Sequence, residues 1–383
     1  MYNIDYQRLG DYIREVNVRN RELKVTNLVG LTIDKAFIPS VANIIGTDLS
    51  NYKVIEKEQF ACSLMQVSRD GKIPVAMFEE DAAIMSPAYP MFEVVDKTIL
   101  LPRYLMMWFS RKEFDREASF YAVGGVRGSL TWEDFCNMRL PIPTLARQRE
   151  IVSEYETLTR RIRLNEQMIA KLEETAQALY RKMFVDGIDK ENLPEGWKLG
   201  TVREFCKKMT SGGTPNRSNN NYWNKRDYRW LKTGEVHNNI VVDTEEYISQ
   251  EGLDNSSAKI VPRGSVTLAM YCANGVTGGQ VAYLDCDTTT NQACCNMICN
   301  SKEDAAFLFF YFLNRQEEIK RLANGAAQEN LSQELIAQQP IILFNDKDKK
   351  AMFVPILDNL IVKYRENEKL TELQSLLLAK MGK

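Results

Sequence analysis

One helical heptad pattern occurs twice in this chain, about two hundred residues apart, and each copy follows a globular stretch. In the first copy, residues recur at alternating spacings of four and three, the a/d pattern of a coiled coil. These residues are Ile151, Tyr155, Leu158, Ile162, Asn165, Ile169, Leu172, Ala176, Leu179 and Met183. The pattern lasts about four heptads, so we predict a long helix that pairs with another helix.

The second copy matches the first five of these positions at a constant offset of 202, as Phe353, Leu357, Leu360, Tyr364 and Asn367. The polar interruption coincides as well, because Asn165 and Asn367 occupy the same seam position. This indicates a duplicated unit of globule plus helix. A buried Asn can hydrogen-bond to another Asn but not to Leu. Antiparallel pairing that places Ile151 opposite Met381 also places Asn165 opposite Asn367, so we predict antiparallel helices in which these two asparagines face each other.

Local signals set the domain boundaries. Leu140-Pro-Ile-Pro143 forces an extended exit from the first globule, Thr144 is a candidate N-cap, and Gly187 ends the helical pattern. Strand-like runs in the first globule are Leu28–Ile33, Phe60–Val67, Ile73–Phe78 and Met91–Val95, followed by a helical run at Pro102–Phe114. We predict a domain at 1–143, a helix at 144–186, a linker at 187–196, a second domain at 197–345 and a second helix at 346–383. The predicted fold class is α/β (α+β), with two β-rich globular domains joined by two long antiparallel helices that form a coiled-coil spacer.

Bulk composition indicates a cytoplasmic protein. The 383 residues are 44% hydrophobic, enough for two cores, yet no run of eighteen apolar residues is present. The first residues lack the basic and apolar regions of a signal peptide. Eight cysteines without CxxC spacing predict buried, reduced thiols and no metal site, although Cys294-Cys295-x3-Cys299 is a remote metal-binding alternative. We therefore expect no membrane association.

Charge is unevenly distributed although the net charge is only −2. Residues 203–232, called the basic segment below, contain two acidic residues and eight basic ones. The basic residues are Arg203, Lys207, Lys208, Arg217, Lys225, Arg226, Arg229 and Lys232. Because the local field decides steering, this segment is a candidate contact for nucleic acid.

The loop Thr210–Arg226 combines glycines, small polar groups, aromatics and cations. Gly212-Gly213 permits close backbone approach to another molecule, cations neutralise phosphates, and Asn and Arg read base edges. Ser68–Lys72 and Gly124–Gly128 are further cationic loops. The candidate DNA-binding residues are Arg69, Lys72, Arg127, Thr214, Arg217, Tyr222, Lys225, Arg226, Lys232 and Asn274. The alternatives are a solvated surface loop and, at Ser68–Lys72, a plain hairpin.

Catalytic patterns are missing from the sequence. The single histidine, His237, lies in a polar sequence and is predicted to be an exposed loop residue. No phosphate-binding loop, dinucleotide turn or base-methylating Pro-Pro tetrapeptide is present. Asp304 with Glu318-Ile-Lys320 loosely resembles a metal nuclease pattern, but such spacing is ordinary on a helix surface. We predict no catalytic residues and no cofactor.

Taken together, these residues resemble the specificity (S) subunit of type I restriction-modification enzymes over essentially the whole chain. The motifs that carry the resemblance are Leu140-Pro-Ile-Pro, Gln148-Arg-Glu-Ile, Ala178–Phe184, Leu193-Pro-Glu-Gly-Trp197, Ser211-Gly-Gly-Thr-Pro215 with Tyr222-Trp223, and Leu376–Met381. In the second half, Gln339-Pro-Ile-Ile-Leu343 stands where Leu-Pro-x-Pro stands in the first. The second helix is also four residues shorter beyond its shared Asn.

The resemblance implies a non-catalytic DNA-recognition subunit. Its two target-recognition domains would each read one half of a bipartite double-stranded DNA site. Its helices would form a spacer and dock two methyltransferase subunits, which restriction subunits join. Helices of about 33 residues are about 50 Å long, or about 15 base pairs, which predicts a fixed unread gap between half-sites that one inserted helical turn lengthens.

Alternatives stay open at this point. One is the specificity subunit of a related methyltransferase or defence system without a restriction subunit. Another is a coiled-coil adaptor that binds only protein, and a third is a small DNA-modifying enzyme with an unrecognised motif. Salt-dependent duplex binding separates the adaptor from the rest, and methyl transfer by the isolated chain identifies the enzyme.

Overall fold

The computed structural model describes residues 6–40, 46–65, 67–123, 129–189, 191–271, 278–324 and 331–382. The chain divides into two compact units. The first unit comprises residues 1–161 and 370–383, and the second comprises residues 162–369. Each unit therefore takes a stretch of both long helices, whereas the predicted boundaries treat the helices as segments of their own.

The first unit consists of short strands followed by helices. Its strands are β1 (Tyr6–Arg8), β2 (Ile13–Glu15), β3 (Val29–Leu31), β4 (Phe37–Pro39), β5 (Lys53–Glu56), β6 (Phe60–Cys62), β7 (Val75–Met77), β8 (Ala82–Met85), β9 (Met91–Val94) and β10 (Arg139–Pro141). Its helices are α1 (Val67–Asp70), α2 (Pro102–Phe109), α3 (Lys112–Ala122) and α4 (Trp132–Asn137), after which α5 (Leu145–Phe184) begins. The main sheet has the order β2-β9-β6-β7 and is antiparallel throughout.

The predicted strand runs of this unit contain β3, β6, β7 and β9, but two predicted elements are shorter than expected. The strand predicted at Phe60–Val67 ends at Cys62. The helical run predicted at Pro102–Phe114 is interrupted at Arg111, whose backbone is extended and whose guanidinium lies 4.0 Å from the Trp108 ring centre. The chain therefore turns a corner where sequence periodicity predicts one continuous helix, and a local cation–π contact between Arg111 and Trp108 accompanies this corner.

The core of the first unit is an aromatic cluster beneath the main sheet. Phe60 and Phe92 stack with ring centres 5.1 Å apart, and Phe109 packs edge-on against both. These rings are fully buried, and the last turns of the chain contribute Met381 to the same cluster. Buried aromatic area of this kind is the main source of stability for a domain of this size.

The second unit has a larger sheet. Its strands are β11 (Lys198–Thr201), β12 (Lys208–Ser211), β13 (Tyr228–Leu231), β14 (Asn239–Val241), β15 (Glu246–Ile248), β16 (Val266–Ala269), β17 (Val281–Leu284), β18 (Thr289–Thr290), β19 (Cys294–Ile298) and β20 (Pro340–Leu343). Its helices are α6 (Val202–Phe205), α7 (Gln250–Asp254), α8 (Lys302–Asn314), α9 (Gln316–Asn324), α10 (Gln333–Ala337) and α11 (Lys347–Ala351), after which α12 (Val354–Lys380) begins. The strands form a five-stranded sheet, β12-β19-β16-β17-β14, and a three-stranded sheet, β15-β13-β18.

Helix α8 is the centre of the second core. All nine residues from Ala305 to Leu313 are buried, so this helix is apolar on every face and surrounded by protein. Ser301 caps its N-terminus by accepting a hydrogen bond from Asp304 N. Around it pack the aromatic rings of Tyr180 and Phe184 from α5 and of Phe353 just before α12.

The two units repeat one arrangement. In each, the first strand pairs antiparallel with the strand that precedes the long helix, as β1 with β10 and β11 with β20. The hydroxyl of Tyr104 in α2 donates to Pro141 O at 3.1 Å, and that of Tyr311 in α8 donates to Pro340 O at 2.9 Å. The segment without Leu-Pro-x-Pro is therefore still an extended strand, and a tyrosine hydroxyl donates to one of its backbone carbonyls as well.

The start of each long helix also docks in an equivalent way. Gln148 is fully buried, donates to Ile99 O at 2.7 Å and accepts from Leu101 N at 2.9 Å, immediately before α2. In the second unit, Lys350 bonds Asp304 in the first turn of α8 at 2.7 Å. Residues 148 and 350 are related by the same offset of 202 as the heptad positions. The same position thus docks the start of the long helix in both units. The contact is made by the amide of Gln148 in the first unit and by the ion pair of Lys350 with Asp304 in the second.

Local signals explain where the helices begin and end. Thr144 Oγ1 accepts from Arg147 N at 3.4 Å, as predicted for an N-cap, and Gly187 has a φ of 74° beyond the end of α5. The second helix, predicted to be continuous from 346, breaks between α11 and α12, because Pro355 is tolerated only in the first turn of a helix. None of the helices described here is both long and apolar enough to cross a membrane.

Candidate nucleic-acid interface and paired helices

The basic segment runs from α6 through β12 and β13 of the second unit. Gly212 and Gly213 follow β12 directly. A side chain at Gly212 would lie 1.9 Å from Thr290 O, and one at Gly213 would lie 2.1 Å from Ser257 Oγ. The sequence predicts that these glycines allow another molecule to approach the backbone closely. In the structure they allow the close approach of other backbone segments of the same protein.

Arg217 is held within the fold. Its guanidinium lies 3.7 Å from the Trp223 ring centre and 4.5 Å from that of Trp230, and it forms an ion pair with Glu246. The two indoles meet edge to face with centres 5.0 Å apart. Arg217 therefore closes a small aromatic cluster, and its side chain remains about half exposed.

The other cations of β13 and its flanks face the acidic turn, defined here as residues 243–246. Arg229 Nε donates to Asp243 Oδ1 at 2.7 Å, and Arg226 lies 3.8 Å from the same carboxylate. Lys232 Nζ lies 2.8 Å from Glu245 Oε2 and 3.1 Å from Glu246 Oε1. The antiparallel pairing of β13 with β15 brings these oppositely charged stretches together.

Two carboxyl groups of the acidic turn, Asp243 and Glu246, have a lowered pKa and are ionised at neutral pH. Burial alone would raise the pKa of Asp243, but hydrogen bonds from Tyr247 and Arg229 outweigh it and lower that pKa. For Glu246, burial is likewise outweighed by Arg217 and Lys232, so its pKa is also lowered. Hydrogen bonding to Glu245 raises the pKa of Lys232. The cluster therefore consists of full charges of both signs.

The remaining candidates of this loop differ in accessibility. Lys225 is exposed and forms no ion pair with any residue in the described parts of the chain. Thr214 Oγ1 donates to Gln292 Oε1 at 2.5 Å. Tyr222 is half-buried, and its carbonyl accepts from Ser249 N at 2.9 Å. Asn274 lies outside the described residues.

In the first unit, the candidate cations are also paired. Arg69 Nε donates to Asp70 at 2.7 Å within α1, and Lys72 Nζ lies 3.2 Å from Asp34 Oδ1. The predicted turn at Ser68–Lys72 is a single helical turn closed by Gly71, whose φ is 66°. Arg127 and the loop Gly124–Gly128 fall outside the described residues. The structure thus brings three of the candidates, Arg217, Arg226 and Lys232, together at the acidic turn, and the assignment of DNA contacts stays a prediction.

Within the second unit, α5 and α12 run antiparallel. Asn165 Nδ2 donates to Asn367 Oδ1 at 2.8 Å, and the rings of Tyr180 and Phe353 lie 6.2 Å apart. The residue numbers of these contacts increase along α5 and decrease along its partner, so the two helices have opposite directions. The predicted facing of the two asparagines is therefore confirmed. Asn165 is fully buried and its Oδ1 has no hydrogen-bond partner among the described residues, which is the cost of a polar seam position.

The first unit contains the complementary stretches of the same helices. Gln374 Nε2 donates to Thr159 Oγ1 at 2.7 Å. Ile151, Tyr155 and Leu378 pack against the core cluster that contains Met381. All ten predicted seam positions of α5 are buried or half-buried.

Sequence reasoning missed Tyr180 and Phe184, which are more buried than the predicted seam residues Leu179 and Met183. Their rings pack on Phe307 of α8, with centres 5.6 and 5.0 Å away. Ala176, Tyr180 and Phe184 follow one another at intervals of four residues. This apolar spacing was the signal in the sequence that could have identified the two aromatic residues as buried. The end of α5 faces a globular core in addition to its partner helix.

Residues considered for chemistry are engaged in structural roles. Asp304 pairs with Lys350, and Glu318 pairs with Arg315. His237 is exposed, as predicted, with Nδ1 3.4 Å from Gln280 Oε1. Among the described residues no group of three or more His, Cys, Asp or Glu side chains is arranged to hold a metal ion.

The cysteines outside the undescribed stretch that contains Cys272 are free thiols. Six are buried, at positions 62, 136, 206, 286, 294 and 295, and Cys299 is half-buried. Burial raises the pKa of Cys286 to about 11 and that of Cys294 to about 12. These thiols therefore stay protonated, which agrees with the predicted reduced core cysteines.

Comparison with known proteins adds a family relationship to this geometry. A protein-family model for the type I restriction modification DNA specificity domain matches residues 44–174 and 194–376. Each match covers most of one globule and most of its following helix, so the family unit corresponds to the duplicated unit of the sequence.

Two curated relatives are specificity subunits. The HindI type I restriction enzyme specificity subunit of Haemophilus influenzae is 26% identical over 226 residues, covering 55% of this chain and 47% of the relative. The EcoR124I/EcoR124II type I restriction enzyme specificity subunit of Escherichia coli is 24% identical over 219 residues, covering 52% and 50%. The chain spans about half the length of the curated relatives it matches.

A solved structure shows the same fold. The S subunit of a type I restriction-modification system from M. genitalium superposes with a TM-score of 0.58 at 12% identity, covering 100% of this chain and 97% of that one. The predicted mixed architecture of two domains and paired long helices is therefore confirmed.

Proposed function

The chain belongs to the family of type I restriction modification DNA specificity proteins, and from this premise we propose that it is the DNA-recognition subunit of such a system. Each of its two units recognises one half of a bipartite site in double-stranded DNA. The observation that carries the proposal is the duplicated unit, in which a globule with its own core is followed by a heptad helix that contacts the other helix.

The proposed partners are two methyltransferase subunits and, with them, restriction subunits. The system supplies its chemistry through those partners, and this chain supplies recognition without a catalytic centre. Support comes from the family and from the carboxylates that the sequence offers for chemistry, Asp304 and Glu318, which are each neutralised by a cation.

The two helices are proposed to set the distance between half-sites. Support comes from the antiparallel contacts in each unit, Asn165 with Asn367 and Thr159 with Gln374. An Asn pair in the seam specifies one register, because a shifted register would bury an amide against an apolar side chain. A fixed register gives a fixed gap of several unread base pairs.

Methylome mapping tests this function. The chain is expressed with its methyltransferase subunit in cells that lack other methyltransferases, and modified bases are located by sequencing. We expect one bipartite motif with a fixed gap. Replacing residues 1–143 with the first domain of another family member should change one half-site and preserve the other. Methyl transfer by the purified chain alone, or a change in both half-sites, would contradict the proposal.

A further inference from the structure

We propose that the acidic turn, residues 243–246, suppresses sequence-independent DNA binding by occupying four of the eight cations of the basic segment when no DNA is bound. The inference rests on the proposed function. It assigns to Asp243, Glu245 and Glu246 a role in discriminating the specific DNA site from DNA of arbitrary sequence. The sequence alone does not suggest this role, because carboxylates repel DNA phosphates.

The contacts carry this inference. Four cations of the basic segment each pair with at least one of the three carboxylates of the turn, namely Arg217, Arg226, Arg229 and Lys232. Within residues 217–232 only Lys225 has no such partner among the described residues. Four of the five cations within residues 217–232 are therefore already paired within the protein itself.

The turn is held in position by the fold. Glu245 N donates to Glu235 Oε2 at 2.9 Å, and Thr244 Oγ1 donates to Glu246 O at 2.8 Å. Asp243 also accepts a hydrogen bond from Tyr247. The carboxylates are thus positioned against the cations without help from a ligand, as a built-in substitute for phosphate oxygens.

The pairs are exposed enough to exchange partners. The side chains of Glu245 and Arg226 are 71% and 72% exposed, and that of Arg217 is 49% exposed. Exposed ion pairs contribute little to stability, so a DNA phosphate can replace a carboxylate at small cost. A duplex that offers only phosphates gains little from this exchange, whereas a duplex that also offers matched base contacts gains their full contribution.

The test uses the full-length chain with Glu245→Gln/Glu246→Gln and a fluorescent duplex of arbitrary sequence. Titrations at several salt concentrations give the affinity and its salt dependence. The matched control is Glu195→Gln/Glu317→Gln, which makes the same change in net charge at two exposed positions of the second unit outside the turn. The control matters because any lost carboxylate strengthens long-range attraction to DNA.

We expect the turn variant to bind the duplex about tenfold more tightly than wild type, with a salt slope steeper by about 1 to 2, since each added phosphate contact contributes about 0.9. The control should change affinity less than about twofold by comparison. Equal effects of the two double variants, or weaker binding by the turn variant, would overturn the inference.

Two further measurements distinguish a failure of the proposed function from a failure of the role assigned to the acidic turn. The single variant Glu245→Gln alters the most exposed carboxylate of the turn, so it retains the fold and should show a smaller shift in the same direction. If wild type and all variants fail to bind any duplex at low salt, also with the methyltransferase subunit, then the proposed function fails. If wild type binds and the turn variant does not differ from its control, only the role of the turn fails.

Discussion

Asn165 Nδ2 donates a hydrogen bond to Asn367 Oδ1 at 2.8 Å, joining the two long helices at the position that both heptad patterns leave polar. Asn165 is fully buried. An amide pair in an apolar seam contributes specificity of register more than stability, because each buried polar group has lost its water.

Replacing one member of this pair should cost more than replacing both. Asn165→Leu deprives Asn367 of this partner and should lower the free energy of unfolding by about 1–3 kcal/mol. Asn165→Leu/Asn367→Leu should recover most of that loss. Urea denaturation of the four proteins in a double-mutant cycle measures the coupling, and Asn359→Leu on the exposed face of α12 is the control. A double variant as unstable as the sum of the single variants would contradict the pairing.

Glu173 makes the second unit sensitive to pH. Burial beside α12 raises the pKa of its carboxyl from 4.5 to about 7, and the same carboxylate helps to raise the pKa of Tyr364. Between pH 4.5 and about pH 7, Glu173 is protonated in the folded state and ionised in the unfolded state. The free energy of unfolding therefore falls as the pH rises through this range and then levels off.

Glu173→Gln should remove this loss, which we expect to be roughly 1–3 kcal/mol. Its neighbour Glu174 is exposed and bonded to Lys171, so Glu174→Gln is the matched control and should keep the pH dependence of wild type. Thermal unfolding across this pH range distinguishes the two variants, and identical slopes for both would refute the assignment to Glu173.

Substitutions of Lys225 and Arg217 should have different effects, the first on DNA binding and the second on the stability of the second unit. Lys225→Ala removes an exposed cation that has no ion-pair partner among the described residues. It should reduce the salt slope of DNA binding by about one without changing the melting temperature. Arg217→Ala removes a guanidinium that packs on Trp223 and Trp230, and should destabilise the unit by about 1 kcal/mol. Calorimetry and salt titrations on both variants test this. Unchanged binding by Lys225→Ala would show that this loop is solvated surface.

Lengthening both helices should lengthen the gap between half-sites. Seven residues inserted after Arg161 and seven after Lys369 preserve the heptad phase and add about 10 Å to each helix, or about three base pairs. The methylated motif should keep both half-sites and gain about three unread pairs. An insertion in α5 alone is the control, because it breaks the seam and should abolish methylation. An unchanged gap after the paired insertion would refute the helical spacer.

Periodicity and capping determined much of this structure, because they act over a few neighbouring residues. The seam of α5, its cap at Thr144 and its end at Gly187 follow from side-chain spacing and backbone preference alone. The asparagine pair was also predictable, since a duplicated sequence places the same polar residue on both helices, and an antiparallel register that aligns the helix ends brings the two residues together.

Tertiary structure decided which surface each residue faces. Tyr180 and Phe184 are buried because α8 lies beside the end of α5, and no local spacing specifies that neighbour. The pairing of the basic segment with the acidic turn depends on the antiparallel register in which Trp230 meets Glu246. Sequence identifies charges, but the field they produce depends on which strands lie side by side, and packing of the whole unit sets that arrangement.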